Sequence, residues 1–226
     1  MVSATISSPD TAKRIRVVIW ILLAVIVLGG AAWYAVLTSN KRSQDPPVAG
    51  SEQLVRTDSH RLTTPAVEKA QLVEFLDFEC EACRAVHPYV EELKQEFGDR
   101  ITFVSRYFPL SSHPNSGQAA LAVEAAAQQG EFEAMQSRLF ETQDQWHGKT
   151  ESQAPLFRTY AGELGLDLAA FDAAVADDKT KERIRADITD GTALGVTGTP
   201  TFFLNGEKLT LSTRQEFRQK LAEAVK

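Results

Sequence analysis

The chain has 226 residues, of which 43% are hydrophobic and 24% are charged, a composition typical of a globular protein with its own core. Its formal charge is −6, and no Lys/Arg-rich run follows residue 42, which argues against nucleic acid as a partner. Only two cysteines are present, whereas disulfide scaffolds are short and cysteine-dense. The length allows one large domain or two small ones.

An apolar segment at residues 17–37 is the first predicted element. Its 21 residues carry no charge, and a helix of about 20 apolar residues spans a bilayer. Three basic residues lie just before it and two just after it, which favours a cytoplasmic N-terminus at residues 1–16. A cleaved signal peptide, with residues 30–32 as its cleavage site, is the alternative. The length of the apolar run favours an uncleaved transmembrane anchor.

A polar segment at residues 38–60 follows. It contains Pro46-Pro47 and few apolar positions, which is typical of a linker. Both interpretations of the N-terminal segment place the rest of the chain outside the cytoplasm, where disulfides persist. We therefore predict a single-pass cell-membrane protein with an extracytoplasmic folded part.

Strand and helix patterns alternate beyond the linker. Residues 71–77 (QLVEFLD) and 101–108 (ITFVSRYF) are short runs rich in strand formers. Between them, apolar residues recur at helical spacing from Cys80 to Phe97, and Gly98 stands where a helix ends. The order predicts a strand, a helix and a second strand, with the cysteines at the start of the helix.

Helical patterns then continue through residues 113–195, before a strand pattern at residues 199–206 and a final helix at residues 213–225. Asn205-Gly206 marks a hairpin turn. The sequence therefore predicts an α/β fold with an inserted all-helical domain. The predicted division is residues 61–112 and 191–226 for the α/β domain and residues 113–190 for the insertion.

The two cysteines, Cys80 and Cys83, form a C-x-x-C pair at the predicted strand-to-helix junction. Unpaired N–H groups at a helix N-terminus favour negative charge, so the thiolate of Cys80 is expected to be stabilised. Cys83 is one turn further in and is expected to be more buried. This asymmetry predicts a nucleophile, Cys80, and a resolving thiol, Cys83.

Two other interpretations of the pair are open. A structural disulfide across so short a loop would stabilise the fold little. A metal site built from Cys80, Cys83 and His87 would supply three of the four ligands of a closed zinc site. We therefore favour a redox dithiol, and predict neither a metal nor a cofactor.

Two distant features support the redox interpretation. Thr199-Pro200 precedes a strand, where X-Pro bonds can be cis, and it would present a backbone edge to a substrate chain. Glu74 lies in the middle of a predicted buried strand, where burial raises the pKa of a carboxyl group. Beneath Cys83 it would exchange a proton with that thiol. The alternative for Glu74 is a partly exposed edge-strand carboxylate paired with a base.

The segments EFLDFECEACRAVHPYVEEL and GVTGTPTFFLNG, with helices between them, resemble the thioredoxin-like proteins of the DsbA type. The resemblance covers residues 60–226 and is closest to the membrane-tethered thiol-disulfide oxidoreductases of Gram-positive bacteria. It implies a thioredoxin fold with an inserted helical domain, preceded here by one transmembrane helix.

The resemblance also implies a function and residue roles. Cys80 matches the nucleophile, Cys83 the resolving thiol and Glu74 the buried acid; Pro200 matches the cis-proline that binds substrate together with Thr199. The implied activity forms or rearranges disulfides in exported proteins. The implied partners are reduced or misoxidised exported proteins and a membrane redox partner that recycles the dithiol. A thioredoxin-like metal-binding or adaptor module is the alternative.

The residues between the cysteines depart from the family's strong oxidases, which often carry proline and histidine or tyrosine there. This chain has Glu81 and Ala82, with Asp77 and Glu79 nearby. Carboxylates beside Cys80 are expected to raise its pKa and make the disulfide less oxidising. Glu81 and Ala82 are therefore predicted to tune a potential between about −270 and about −120 mV.

Overall fold

A computed structural model describes residues 54–226, which form a mixed sheet with helices on both sides. The strands follow the order β1-β3-β2-β4-β5. They are β1 (His60–Arg61), β2 (Ala70–Leu76), β3 (Ile101–Tyr107), β4 (Thr201–Leu204) and β5 (Glu207–Lys208). The helices are α1 (Glu81–Phe97), α2 (Ser116–Ala127), α3 (Phe132–Glu141), α4 (Ala154–Glu163), α5 (Leu168–Ala176), α6 (Asp178–Ala193) and α7 (Arg214–Ala224), with a 3₁₀ helix at Gln143–Gln145.

The central strand β2 leads directly to the cysteines. It pairs in parallel with β3 and antiparallel with β4, and α1 makes the connection between the parallel strands. Side chains alternate across a strand, so Leu72 packs with the α1 and α7 residues Leu93 and Phe217. Phe75 points to the other face, where an added Cβ on Gly191 of α6 would lie 2.9 Å from its ring. Glycine is thus needed for α6 to approach the sheet.

Helices α2–α6 enclose a core of their own around alanine-rich α2, which packs against the other four. Trp146, Met135 and Leu139 are fully buried in it. The same apolar cluster includes Cys80 and Cys83. The helical core therefore reaches the dithiol directly.

A buried network of charged side chains fastens α6 to β3. Arg106 of β3 donates from Nε to Asp187 Oδ1 and from Nη2 to Asp190 Oδ2, each at 2.8 Å. Arg183 Nη1 donates to Asp187 Oδ2 at 3.0 Å. An unpaired buried charge is costly, so these pairs hold the insertion against the sheet.

The start of the described region differs from the linker predicted over residues 38–60. Leu54 is buried, and its carbonyl accepts from Arg106 Nη1 at 2.6 Å. β1 pairs antiparallel with β3. Residues 54–60 thus pack on the domain, through the bond from Arg106 to Leu54 and through the edge strand β1, which begins at His60. The polar composition of this segment indicates neither contact. The rest of the predicted linker lies outside the described residues.

The predicted transmembrane segment at residues 17–37 also lies outside the described residues. Within residues 54–226, no helix combines the length and apolar character that crossing a membrane requires.

The predicted order of strands and helices is confirmed, with small differences at the ends. The hairpin turn at Asn205-Gly206 is present, with φ angles of 51° and 90°. The helical stretch predicted to begin at residue 113 starts at Ser116. The next stretch is broken after Glu141 into α3 and the 3₁₀ helix, a break that becomes important at the site.

Candidate active site

The turn between β2 and α1 places Cys80 as the N-cap residue of α1, with extended backbone angles (φ −73°, ψ 121°). No side chain caps this end of the helix. The first N–H groups of α1 are consequently available to a negative charge on the Cys80 sulfur. The predicted position of Cys80 at the helix start is what the structure shows.

The two thiols differ in burial and acidity. Both are free, and Cys80 retains 8% exposure against 1% for Cys83. The pKa of Cys80 is lowered to about 5, first by a hydrogen bond from the Cys83 thiol and then by Thr199 and the amides of α1. The pKa of Cys83 is raised well above its usual value, chiefly by burial. One sulfur is thus a stabilised thiolate and the other a protonated thiol.

Thr199-Pro200 lies beside Cys80, and its peptide bond is cis. The Cys80 thiol donates to the Thr199 carbonyl at 3.3 Å. The Thr199 hydroxyl is buried and has no hydrogen-bond partner among the described residues. It is therefore free to donate to the thiolate form of Cys80.

Glu74 is central in β2, in register with Ser105 of β3 and Phe202 of β4. Burial raises its pKa to about 8, with a further contribution from the charge of Glu91. The charge of Glu74 in turn contributes to the raised pKa of Cys83. The structure thus brings Glu74 and Cys83 together and holds Glu74 mostly protonated at neutral pH.

Two acidic residues before the dithiol turn away from it. Asp77 is buried and accepts from the backbone N–H of Leu110 at 2.9 Å and from His113 Nδ1 at 2.7 Å. Glu79 is buried and accepts from the N–H groups of Asn115 at 2.7 Å and Gly148 at 2.9 Å. Their carboxylates fasten loops of the insertion to the site.

The expectation that nearby carboxylates raise the pKa of Cys80 is therefore wrong. The pKa is lowered, because hydrogen bonds to the sulfur outweigh the effect of burial. Glu81 and Ala82 are both exposed. The Glu81 carboxylate lies near the dithiol at the surface, with 78% exposure of its side chain, and is 3.7 Å from His147 Nε2.

Two side chains from the insertion, neither of which the sequence analysis assigned to the site, contact this turn. Gln143 Nε2 donates to the carbonyls of Phe78 at 2.8 Å and Cys80 at 3.1 Å. His147 Nδ1 lies 3.0 Å from the carbonyl of Glu79. These contacts join residues more than 60 positions apart, which spacing does not reveal.

His87, the third ligand of the alternative metal site, packs its ring on Phe140 with centroids 4.9 Å apart. No cluster of three or more His, Cys, Asp or Glu side chains suited to a metal occurs within residues 54–226. Trp146, in the loop after the 3₁₀ helix, is buried and donates to the Leu139 carbonyl at 3.2 Å.

A groove of about 330 Å³ begins at Pro200 and runs between α1 and α7. Its walls include the apolar side chains of Val86, Phe202, Leu209 and Leu211. An extended chain that reaches Cys80 past Pro200 can place a side chain in this groove.

Comparison with curated proteins finds relatives named Na⁺/H⁺ antiporter NhaA 1. The protein from Mycobacterium sp. (strain KMS) is 39% identical over 142 residues, which are 61% of this chain and 22% of the relative. The protein from Mycolicibacterium gilvum is 33% identical over 215 residues, 92% of this chain and 33% of the relative. The chain thus spans a third or less of the length of these two relatives.

Solved structures with the same fold include a thioredoxin-like oxidoreductase from Silicibacter pomeroyi, with a TM-score of 0.65 and 25% identity over 76% of this chain and 95% of that one. Wolbachia pipientis alpha-DsbA1 aligns with a TM-score of 0.66 and 21% identity, covering 76% and 93%. BdbD from Bacillus subtilis aligns with a TM-score of 0.63 and 16% identity, covering 74% and 92%.

The family comparison agrees with the fold and with the geometry around Cys80. The model of the family described as Thioredoxin matches residues 67–223, a range that includes the dithiol, Glu74 and the cis-proline. The chain therefore belongs to the thioredoxin family.

Proposed function

We propose that this protein is a thiol-disulfide oxidoreductase that forms or rearranges disulfides in exported proteins, with oxidation as its main direction. The observation that carries the proposal is the asymmetric placement of the two thiols: Cys80 is the N-cap of α1 and contacts the cis Thr199-Pro200 segment, whereas Cys83 is 1% exposed. In keeping with this placement, the pKa of Cys80 is lowered to about 5 and that of Cys83 is raised well above the usual value. A stabilised thiolate favours the reduced protein, so the disulfide is a good acceptor of electrons.

The reaction begins with a disulfide between Cys80 and Cys83. A substrate thiolate attacks Cys80 Sγ and forms a mixed disulfide, while the sulfur of Cys83 leaves with the bonding electron pair and takes up a proton. A second substrate thiolate then attacks the substrate sulfur of the mixed disulfide, and Cys80 leaves as a thiolate. Two electrons pass from the substrate dithiol to the protein dithiol.

The surrounding residues support each step. The low pKa of Cys80 makes it a good leaving group in the second step. Glu74, with a pKa of about 8, supplies the proton that Cys83 takes up. Thr199 and Pro200 border the sulfur, and the groove beside them accepts an apolar side chain of the substrate.

The location and the partners belong to the proposal. An anchor at residues 17–37 would hold the domain on the outer side of the cell membrane, near a membrane redox partner that reoxidises the dithiol. The structural similarity to a thioredoxin-like oxidoreductase and to alpha-DsbA1 supports the reaction class. Antiport is not proposed, because the matched part is 22% of the Mycobacterium relative.

The test is oxidative folding of reduced ribonuclease by the oxidised domain, run beside reduction of insulin by the reduced domain. We expect recovery of ribonuclease activity and slow insulin reduction. Fast insulin reduction without ribonuclease recovery would assign the opposite direction. Neither activity would overturn the proposal.

A further inference from the structure

The segment from Gln143 to Gly148 lies across the turn that carries the dithiol. The carbonyls of three consecutive residues, Phe78, Glu79 and Cys80, all accept from its side chains, at 2.8, 3.0 and 3.1 Å. The N–H of Gly148 adds a bond to the Glu79 carboxylate at 2.9 Å. These bonds to main-chain carbonyls of the turn thus fix the position of the segment relative to Cys80.

Within this segment, the two ring nitrogens of His147 both face oxygen acceptors. Nδ1 lies 3.0 Å from the Glu79 carbonyl, and Nε2 lies 3.7 Å from Glu81 Oε1. Only the contact at Nδ1 is short enough for a hydrogen bond. The ring is thus anchored at Nδ1 and turns Nε2 towards the Glu81 carboxylate, within ion-pair distance.

The other charged neighbours of His147 are already engaged. Asp144 makes two hydrogen bonds with the Arg84 guanidinium. His113, with its ring 6.4 Å from that of His147, is bonded to the buried Asp77. Arg84, which is bonded to Asp144, also acts on Glu81 through its charge, whereas His147, with a side chain that is 35% exposed, lies within ion-pair distance of the Glu81 carboxylate.

We propose that His147 is a positioning residue that neutralises Glu81 and thereby sets the redox equilibrium of the Cys80–Cys83 pair. Glu81 directly follows Cys80, and its uncompensated charge would oppose a thiolate at the same helix N-terminus. Ordinary surface ion pairs are weakened by the side-chain entropy lost when two flexible groups are held together. The His147 ring is already anchored to the Glu79 carbonyl, so its pairing with Glu81 loses little further entropy. The inference rests on the proposed function.

The test is the equilibrium of the protein with reduced and oxidised glutathione for His147→Asn. Asparagine keeps a donor where Nδ1 stands and lacks the group that faces Glu81. We expect the equilibrium constant to shift about threefold towards the disulfide, the size of effect that loss of one surface ion pair produces. This shift corresponds to a reduction potential about 14 mV more negative. The pKa of Cys80, followed by thiolate absorbance, should rise with it.

The same substitution in a Glu81→Gln background distinguishes pairing from a structural role, because without the Glu81 charge it should leave the equilibrium unchanged. Lys149→Gln is the matched control, since it removes a positive charge from the same loop and Lys149 makes no ion pair within the described residues. An equal shift in both backgrounds, or no shift in either, would overturn the inference while the proposed function stands. A wild-type protein that forms no Cys80–Cys83 disulfide would overturn both.

Discussion

Replacing Cys83 with serine should leave the protein trapped as a mixed disulfide with its substrates. The thiolate of Cys80 still attacks a substrate disulfide, because its position at the helix N-terminus is unchanged. No resolving thiol is then available to release the substrate. We expect turnover to fall by at least about a hundredfold, consistent with the loss of a group that completes each cycle. Non-reducing electrophoresis with a disulfide-containing peptide would detect the adduct.

Cys80→Ser provides the contrasting variant. Cys83 is 1% exposed and its pKa is raised well above the usual value, so it should form no adduct and the variant should be inactive. Adducts in Cys80→Ser but not in Cys83→Ser would reverse the two roles. Unchanged turnover in both variants would remove the dithiol from the mechanism.

Glu74→Gln should stabilise the fold and slow the chemistry at Cys83. The folded-state pKa of Glu74, about 8, is raised above its ordinary value, so the folded protein retains a proton that the unfolded chain releases. Its free energy of unfolding must then fall as the pH rises from about 4.5 to about 8. Glutamine removes that fall. We expect no difference near pH 4 and a gain on the order of 2 to 3 kcal/mol near pH 8, after discounting for partial exposure.

Urea unfolding of the oxidised protein across this pH range would measure the effect without titration of the cysteines. Glu96→Gln is the control, because Glu96 is an exposed carboxylate paired with Arg218. Its effect on the free energy of unfolding should lack the rise between about pH 4 and about pH 8 that is expected for Glu74→Gln. The same Glu74 variant should slow the formation of the mixed disulfide between a reduced substrate and the oxidised protein, since the departing Cys83 sulfur loses its proton donor. A stability difference that does not change with pH would contradict the raised pKa.

The local features of the site could be predicted from the sequence because each rests on short-range rules. Cys80 falls at a strand-to-helix junction, and helix spacing alone places Cys83 one turn in. The proline after Thr199 begins a strand, where its missing N–H is tolerated. Asn205-Gly206 indicates its own turn type. The order of strands and helices follows from the same periodicities.

The electrostatics of the site could not be predicted, because they depend on contacts over long separations. Proximity in sequence suggested that Glu79 opposes the Cys80 thiolate, but its carboxylate is bound by the N–H groups of Asn115 and Gly148. His147 contacts the turn that carries the dithiol from more than 60 positions away along the chain. Residues 54–60 are likewise held by a buried arginine far from them in sequence. Composition and spacing do not predict such contacts between residues that are distant in sequence.

The equilibrium of the Cys80–Cys83 pair with glutathione at pH 7 is the most direct test of an oxidising dithiol. Thioredoxin has a thiol pKa of about 7 and a potential of about −270 mV, whereas DsbA has a thiol pKa of about 3.5 and a potential of about −120 mV. With a pKa of about 5 at Cys80, the account predicts a potential of about −180 mV. A potential at or below about −270 mV would contradict it and would assign the protein to the reductants.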